Sequence, residues 1–409
     1  MSSKTLVCTG CGCLCDDVQV EIDSGRLGQI ENACAKGAAY LQTAFNPERR
    51  ARSTVRGQPC STESAIDEAA RLLSKAKRRL IFGLDNSTLE AQALAIDLAR
   101  KLGAVIDDAS SFSFGPIVER ILKKDLPTCS LSEVKDKADL LLYWGANPTA
   151  THPRHLSKYT YYGYSDFNPA GWYPRVTLSS IDVRQTELTA MSQPAFKIKP
   201  HGDHELISGL LGESPAASDQ ARQLSELVKT SEFCAIFCGL GLVHSLGGDF
   251  SGFSQMVQML SQSIRVAVIP LIAETSMLGF SKLLRKETSY VNQVSFAGSV
   301  SHGREFSFAE QVHNRTPECI LIVGSDPFSA LPQSLLSRLQ EVDIVCLDHF
   351  STLTTKAADI VIPTAAPGVE SSGSVVRLDG DSIALAEPIK NGYPAQEDIL
   401  RQLLEKVQP

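Results

Sequence analysis

The chain has 409 residues, of which 43% are hydrophobic and 21% charged, and its formal net charge is −7 at pH 7. This length exceeds one typical hydrophobic core, so two or three domains are expected. A negative charge without any run of Lys or Arg excludes a nucleic-acid surface. Apolar stretches such as RVAVIPLIAE (265–274) are about half as long as a membrane span, so no membrane insertion is expected.

The eleven cysteines are unevenly distributed. The first residues lack the long apolar core of a signal peptide, which predicts a cytoplasmic protein. In that compartment thiols stay reduced, so the cysteines are not a disulfide framework. Five of them lie within the first 34 residues, namely Cys8, Cys11, Cys13, Cys15 and Cys34.

Helical and strand patterns alternate after this cysteine-rich, turn-rich start. The periodicity predicts a helix from near Cys34 through AKGAAYLQTAF, and further helices at 62–77 and 87–103. Apolar runs predict strands at 78–84, 104–107, 138–148, 175–184, 233–242, 264–271, 318–327, 342–350 and 357–365. Residues 150–175 are aromatic and rich in Pro and Gly, which indicates an ordered loop. The alternation predicts parallel α/β layers, with the ligand site at the carboxyl ends of the strands.

The N-terminal cysteines have the spacing of metal ligands. Cys8-x2-Cys11-x3-Cys15, with Cys34 further along the chain, is typical of a four-iron cluster held by three close thiolates and one remote thiolate. Tetrahedral zinc is the competing interpretation, although zinc more often uses two CxxC pairs. Cysteines without any metal are the third. Cys13 is left over in each case.

Glycines follow three of the predicted strands, in WGANP (144–148), CGLGL (238–242) and VGSDP (323–327). Glycine lets a backbone approach a phosphate, and the strand-terminal Asp182 and Asp348 could accept hydrogen bonds from a ribose or a base. Each glycine alone is as well explained by a turn. Together they favour a nucleotide-like ligand or the remnant of its pocket. No GxxxxGK[ST] loop is present, so a P-loop enzyme is not expected.

The order of these motifs resembles a known family. The cysteine set precedes WGANP, DVRQT (182–186), KPHGDHELI (199–207), VGSDP and TTKAADIVIPTAAPGVESSGSVVRLDG (354–380), as in the molybdopterin oxidoreductase superfamily. Within it, CTGCGCLCDD, ACAKGAA, YWGANP followed by HPRH, and VVRLDG resemble the B subunit of formylmethanofuran dehydrogenase. The resemblance covers nearly the whole chain.

The resemblance implies a formate dehydrogenase/DMSO-reductase-like α/β fold without a C-terminal β-barrel domain. The expected layout is an iron–sulfur domain at 1–55, a discontinuous α/β domain at 56–110 and 226–409, and a second α/β domain at 111–225. Partner subunits of the A, C and D types are implied as well. In KPHGDHELI, Asp203 is expected to cap the following helix.

The resemblance also implies two cofactors, a 4Fe-4S cluster and a bis-molybdopterin guanine dinucleotide with tungsten or molybdenum. The implied cluster ligands are Cys8, Cys11, Cys15 and Cys34, with Lys36 between cluster and pterin. The implied walls of the pterin-dinucleotide pocket are Gly145, Asn147, Asp182, Gly324, Asp326 and Asp348.

One stretch departs from the family pattern. The family has Cys-His-Gly-Pro, in which the thiolate binds the metal and the histidine assists proton movement. This chain reads FSFGP, so Ser113 replaces the cysteine and Phe114 replaces the histidine. A hard oxygen ligand changes the metal's electronics, and a phenyl ring cannot transfer a proton. Arg285 and Arg304 are both candidates for the family's active-site arginine.

Three hypotheses follow. In the first, the chain is a non-redox member of a formyltransferase/hydrolase complex like that of methylotrophic bacteria, with an assembly role. In the second, it is a redox-active B subunit with tungsten or molybdenum that interconverts carbon dioxide or formate and formylmethanofuran. In the third, it is a zinc-stabilised assembly protein without pterin. Ser113 and Phe114 favour the first, and the intact cysteine set with Lys36 favours the second.

Overall fold

The computed structural model describes residues 2–23, 25–169, 175–213, 219–389 and 392–408. Its contacts divide the chain into two units. Unit 1 comprises Met1–Ser111, Glu274–Arg377 and Ser382–Pro409, and unit 2 comprises Phe112–Ala273 and Leu378–Asp381. The first junction lies at 111/112. The second lies at 273/274, because the strands that precede it pair within the sheet of unit 2.

The strands are numbered along the chain. They are β1 (Ser2–Leu6), β2 (Val18–Asp23), β3 (Arg26–Glu31), β4 (Thr54–Val55), β5 (Gln58–Pro59), β6 (Arg79–Gly83), β7 (Val105–Asp107), β8 (Leu140–Trp144), β9 (Thr177–Asp182), β10 (Ala195–Lys197), β11 (Phe233–Cys238), β12 (Arg265–Pro270), β13 (Val294–Ser295), β14 (Ser301–His302), β15 (Cys319–Val323), β16 (Asp343–Asp348), β17 (Ile360–Pro363), β18 (Gly373–Val376) and β19 (Ser382–Leu385).

The helices are numbered in the same way. They are α1 (Ala35–Ala44), α2 (Thr62–Lys75), α3 (Leu89–Leu102), α4 (Gly115–Leu122), α5 (Leu131–Lys137), α6 (Pro148–Thr151), α7 (His155–Lys158), α8 (Glu187–Met191), α9 (Asp203–Leu211), α10 (Asp219–Lys229), α11 (Leu240–Ser245), α12 (Ser251–Leu260), α13 (Met277–Thr288), α14 (Phe308–His313), α15 (Gln333–Leu336), α16 (Leu353–Ala357) and α17 (Gln396–Lys406).

The helices predicted at 62–77 and 87–103 are confirmed as α2 and α3. Ser61 and Thr88 cap their N-termini, because each side chain accepts a hydrogen bond from a backbone N–H of the first turn. Gly103 ends α3 in the left-handed conformation, with φ of 59°. Their apolar faces pack on the sheet of unit 1, in a core that includes Ala69 and Ala95.

Unit 1 is built on a nine-stranded sheet in the order β14-β13-β7-β6-β15-β16-β17-β4-β5. The five central strands, β7 to β17 in that order, are parallel, and antiparallel pairs flank them on both edges. Strand β15 is buried at every position, as expected for a parallel strand covered on both faces. The predicted parallel α/β class is therefore confirmed.

Unit 2 contains a five-stranded parallel sheet in the order β10-β9-β8-β11-β12. The spatial order matches that of the central strands of unit 1, in which β8-β9-β10 corresponds to β15-β16-β17 and β11-β12 corresponds to β6-β7. The chain order differs, because the three-strand segment comes first along the chain in unit 2 and second in unit 1. Each sheet reverses its strand order once, between β6 and β15 in unit 1 and between β11 and β8 in unit 2. Such switch points are where open α/β sheets bind ligands.

Two smaller sheets were not predicted from the sequence. The first residues form the antiparallel sheet β1-β2-β3, and β18 pairs with β19 as a hairpin. Leu14 packs in a small apolar cluster with Val375 and Leu385 of this hairpin, which anchors the cysteine-rich segment within unit 1. In the part of the chain that the structure describes, no helix is both long and apolar enough to cross a membrane.

Candidate functional site

The cysteine-rich segment is a tight loop between β1 and β2. The backbone N–H of Cys8 donates to the carbonyl of Cys15 over 2.8 Å, and the N–H of Leu14 donates to the carbonyl of Cys11 over 3.1 Å. Leu14 has φ of 44° and is fully buried. The loop therefore folds back on itself and buries its closely spaced cysteines.

The remote cysteine joins this loop through the start of α1. Cys34 is the N-cap residue, and its Sγ accepts a hydrogen bond from the N–H of Gly37 over 3.3 Å. A Cβ atom at Gly37 would lie 2.9 Å from Sγ of Cys8 and 3.7 Å from Sγ of Cys34. The bare glycine thus lets both thiols approach the same turn, a cradle that fits a thiolate-ligated cluster or ion.

The thiols differ in their ease of ionisation. A hydrogen bond with Cys13 lowers the pKa of Cys11 to about 6, although burial alone would raise it. The positive charge of Lys36 also lowers this pKa. The same hydrogen bond, with burial, raises the pKa of Cys13 well above its ordinary value. A readily formed thiolate is the metal-binding form of cysteine, so Cys11 is better suited than Cys13 to bind a metal. Lys36 itself is exposed on the first turn of α1.

Unit 1 has a cavity of about 220 Å³ at the switch point of its sheet. Three of the residues predicted from the sequence come together there, Gly324 after β15, Asp326 two residues later, and Asp348 at the end of β16. Thr9 and Gly10 of the cysteine loop also line the cavity. The sequence therefore located one wall of this cavity, and the fold supplies the others.

The two acids of this cavity are held differently. Asp326 accepts hydrogen bonds from the backbone N–H and the hydroxyl of Thr354, over 2.8 and 2.6 Å. Asp348 accepts from the N–H of Phe350 over 3.0 Å, and burial raises its pKa to about 7. Next to it, Nδ1 of the buried His349 has no hydrogen-bond partner in the described part of the chain, since Oδ1 of Asp348 is 3.6 Å away. An unpaired ring nitrogen on the wall suits a polar ligand.

Unit 2 has a cavity of about 190 Å³ at its own switch point. Gly145 follows β8 and Asp182 ends β9, and both line this cavity together with Gly241 after β11. Asn147 does not line it. Its side chain instead donates to Glu187 over 3.2 Å and accepts from Thr149 over 2.6 Å.

The two strand-end turns have the same backbone geometry. Gly145 and Gly324 have φ of 59° and 58°. Their N–H groups donate to the carbonyls of Ile181 and Leu347, over 2.8 and 2.9 Å, each one residue before the strand-terminal aspartate. The position after that aspartate is Val183 in unit 2 and His349 in unit 1. The two cavities therefore have the same backbone geometry at these turns, and they differ in the polarity of the side chain that follows the aspartate.

The departure from the family motif lies in unit 2. Ser113 is half-buried, and Phe114 is 3% exposed at the N-cap position of α4. The phenyl ring is thus a packed core group. Of the two candidate arginines, Arg304 is exposed and pairs with Glu310 over 3.1 Å, and Arg285 lies half-buried in the last turn of α13.

Several lining residues carried no signal in the sequence. They include Tyr40, Asn86, Thr275 and His349 in unit 1 and His201 and His244 in unit 2. Asn86 could have been found, because it closely follows β6 as Gly324 follows β15. The predicted capping role of Asp203 is wrong. Gly202 is the N-cap residue of α9, and Asp203 accepts a hydrogen bond from the indole N–H of Trp144 over 2.7 Å.

The chain was compared with family models and with curated proteins. No family model matches the chain. The B subunits of the tungsten-containing formylmethanofuran dehydrogenase 2 of Methanocaldococcus jannaschii and of Methanococcus maripaludis are each 28% identical to it over 427 aligned positions, covering 99% of this chain and 98% of theirs.

Among solved structures, the fold is similar to a chain of the formyltransferase/hydrolase complex of Methylorubrum extorquens, solved with methylofuran. The TM-score is 0.71 at 17% identity, covering 87% of this chain and 98% of that one. This likeness concerns the fold. Along its whole length the sequence is similar to the B subunit of formylmethanofuran dehydrogenase, the family that its motifs resemble.

Proposed function

We propose that the chain is the B subunit of a multi-subunit complex that handles formyl-methanofuran or an analogue, and that its role there is structural and non-redox. The proposed partners are homologues of the A, C and D subunits, and the proposed compartment is the cytoplasm. The main support is Phe114, a buried phenyl group where proton-transfer chemistry needs a titratable side chain. The structural neighbour is a formyltransferase/hydrolase complex.

The cysteine loop supports a retained cluster in this proposal. Cys8, Cys11, Cys15 and Cys34 would hold a 4Fe-4S cluster. Such a cluster transfers electrons in redox enzymes, whereas here it would stabilise the N-terminal segment by linking its cysteines. The chain's own contribution is the Gly37 cradle and the low pKa of Cys11. The cavities at Gly324, Asp326 and Asp348, and at Gly145 and Asp182, would be the remnant of the pterin-dinucleotide site.

The second candidate is a redox-active protein with tungsten or molybdenum. The curated relatives are tungsten-containing, and the cysteine loop with its ionisable Cys11 suits a working cluster. In that case Ser113 would supply an oxygen ligand to the metal. The third candidate, a zinc-stabilised assembly protein, accounts for the cysteines and leaves the two strand-end cavities unexplained.

The deciding experiment is anaerobic purification of the chain with its partner subunits, followed by measurement of iron, zinc, tungsten and molybdenum per chain. The proposal predicts about four irons and no tungsten or molybdenum. Stoichiometric tungsten or molybdenum with bound pterin would refute the non-redox role, and zinc alone would refute the cluster.

A matched pair of variants tests the same point through activity. In the proposed complex, Ser113→Ala leaves formyl transfer and hydrolysis unchanged, because Ser113 has no metal to bind. In a redox-active enzyme the same change lowers formylmethanofuran oxidation. Cys11→Ser is the positive control for the cluster, since it should lower the iron content and expose residues 1–50 to protease.

A further inference from the structure

Three aspartates lie buried together at the carboxyl ends of β6 and β7 in unit 1. The strands pair in parallel with Phe82 opposite Asp107, so Asp108 and Asp85 both lie just beyond the paired ends. Their side chains are at most 1% exposed. None of the three belongs to the predicted cluster or pterin site, and an uncompensated buried carboxylate is costly.

The three carboxyl groups are not equally supplied with hydrogen-bond donors. Asp107 accepts from the N–H of Gln293 over 3.1 Å with one oxygen and from the N–H of Phe308 over 2.7 Å with the other. Asp108 receives a hydrogen bond from Ser110 on one oxygen only. Among the described residues, Oδ2 of Asp108 and Oδ1 of Asp85 have no hydrogen-bond partner.

This pattern stabilises the anion of Asp107 better than those of Asp85 and Asp108, although burial raises the pKa of Asp107 as well, to about 7. A carboxyl group that accepts donors on both oxygens is stabilised as an anion, whereas a buried oxygen without a donor favours a bound proton. The Ser110 hydroxyl is itself engaged, since it accepts from Nδ2 of Asn292 over 2.8 Å while it donates to Asp108. A hydroxyl has a single proton to donate. Ser110 gives that proton to Oδ1 of Asp108 and therefore cannot donate to Oδ2.

The neighbouring charges act in the same direction. Glu274 and Asp107 act on Asp85, and Asp85, Asp107 and Glu274 act on Asp108; all of these charged groups are acidic. The segments at 292–293 and 308 contribute only uncharged groups to this cluster, namely the side chain of Asn292 and the backbone N–H groups of Gln293 and Phe308. Burial first, and these charges second, raise the pKa of Asp85 to about 8 and that of Asp108 well above its ordinary value.

The pair adjoins the wall of the unit-1 cavity. Asn86, the residue after Asp85, donates from Nδ2 to the carbonyl of Gly324 over 3.1 Å and accepts at Oδ1 from the N–H of Thr275 over 3.1 Å. The carbonyl of Asp85 accepts from the N–H of Ser276 over 2.7 Å. Movement of Asp85 would therefore shift the bridge that Asn86 makes across the cavity wall.

We propose that Asp85 and Asp108 form a buried proton-binding pair that holds a proton in the folded protein, and that loss of this proton at alkaline pH loosens the Asn86 bridge of the unit-1 cavity. In the singly protonated pair the one carboxyl O–H can donate within the cluster. Release of the proton to solvent leaves two buried anions beside Asp107. The resulting repulsion acts on the turn that carries Asn86. The inference is independent of any bound cofactor.

Infrared spectroscopy of the full chain tests the proton directly. Between about pH 6 and about pH 9 the carbonyl band of a protonated carboxylic acid should disappear in the unaltered protein. Asp108→Asn and Asp85→Asn should each diminish that titrating band, to which Asp107 and Asp348, with pKa values that burial raises to about 7, also contribute. Asp97→Asn, an exposed carboxylate paired with Arg100 on α3, should leave it intact. Absence of the band in the unaltered protein at neutral pH would overturn the proposal without requiring any variant to fold.

Amide hydrogen exchange tests the second half. After correction for the intrinsic pH dependence of exchange, protection of residues 84–87 and 275 should fall at alkaline pH relative to the buried strand β11. Asp108→Asn should keep that protection constant with pH. Unchanged protection in a protein whose carboxylic-acid band has disappeared would refute the coupling to the cavity.

Discussion

A methyl group at Gly239 should deform the switch point of unit 2. Gly239 follows β11 with φ of −105° and ψ of 175°, a conformation open to any residue, so the effect is purely steric. The added Cβ would lie 2.1 Å from the carbonyl oxygen of Gly145 and 2.6 Å from Cα of Ala146. These are backbone atoms, which cannot rotate away as a flexible side chain would.

The cost of Gly239→Ala can be bounded from these contacts. Overpacking costs about 1–3 kcal/mol and occasionally more, and two backbone clashes place this case at about 3 kcal/mol or above. For a unit of this size that corresponds to a fall in Tm of roughly 6–12 °C. The Gly145 turn should move as well, and with it the cavity that Gly145 and Asp182 line.

Unfolding in urea, followed by the fluorescence of the buried Trp144, measures this effect. The matched control is Gly252→Ala in α12, where the new Cβ would meet Ile207 at an ordinary 3.6 Å. Because alanine is the better helix former by about 1 kcal/mol, that variant should be neutral or slightly stabilised. If Gly239→Ala unfolded at the same urea concentration as the unaltered chain, the close approach of the two turns would be refuted.

Three further predictions concern buried polar groups. Glu370→Gln should lower the free energy of unfolding by about 3–5 kcal/mol, because it removes the carboxylate that lies 2.7 Å from the buried Arg50 guanidinium and leaves that charge without its counter-ion. An unchanged midpoint of urea unfolding would contradict this. Asp203→Ala should cost about 1–3 kcal/mol by leaving the Trp144 indole N–H unpaired, and Asp203→Asn, which keeps an acceptor, should cost less. Burial raises the pKa of Asp348 to about 7, so the free energy of unfolding should fall as the pH rises from about 4 to about 7. Asp348→Asn should flatten that slope, and an unaltered slope would exclude Asp348 as its source.

Sequence patterns predicted the parallel strands well because their signal is local. A run such as CILIV is apolar at every position, which is typical of a strand covered on both faces. The short strands β1 to β3 escaped prediction. Arg26–Glu31 is mostly exposed, and its pairing with β2 rather than its composition makes it a strand.

The candidate site was predictable to the extent that it lies at strand ends. Gly324 and Asp348 follow apolar runs and do meet in one cavity. Asn147 has the same signal and lies outside the unit-2 cavity, because Glu187 and Thr149 engage its side chain. The buried state of Asp85 could not be predicted from its neighbours in sequence, since Glu274 and Ser276, far along the chain, lie next to it. Asp203 shows the same limit, because a tertiary partner, Trp144, determines its role.

The exchanged order of segments in the two sheets has a consequence for synthesis on the ribosome. The strands of unit 2 all lie between residues 140 and 270, so its sheet can close as soon as that stretch has emerged. Strand β6 must wait for its central partner β15, 240 residues later in the register Arg79 to Cys319. Until then β6 can pair only with β7, and its other apolar edge stays unpaired, the condition under which nascent chains aggregate. The sheet of unit 2 should thus be complete while the N-terminal part of unit 1 still lacks its partner strands, and chaperone demand should be greatest for the first 111 residues.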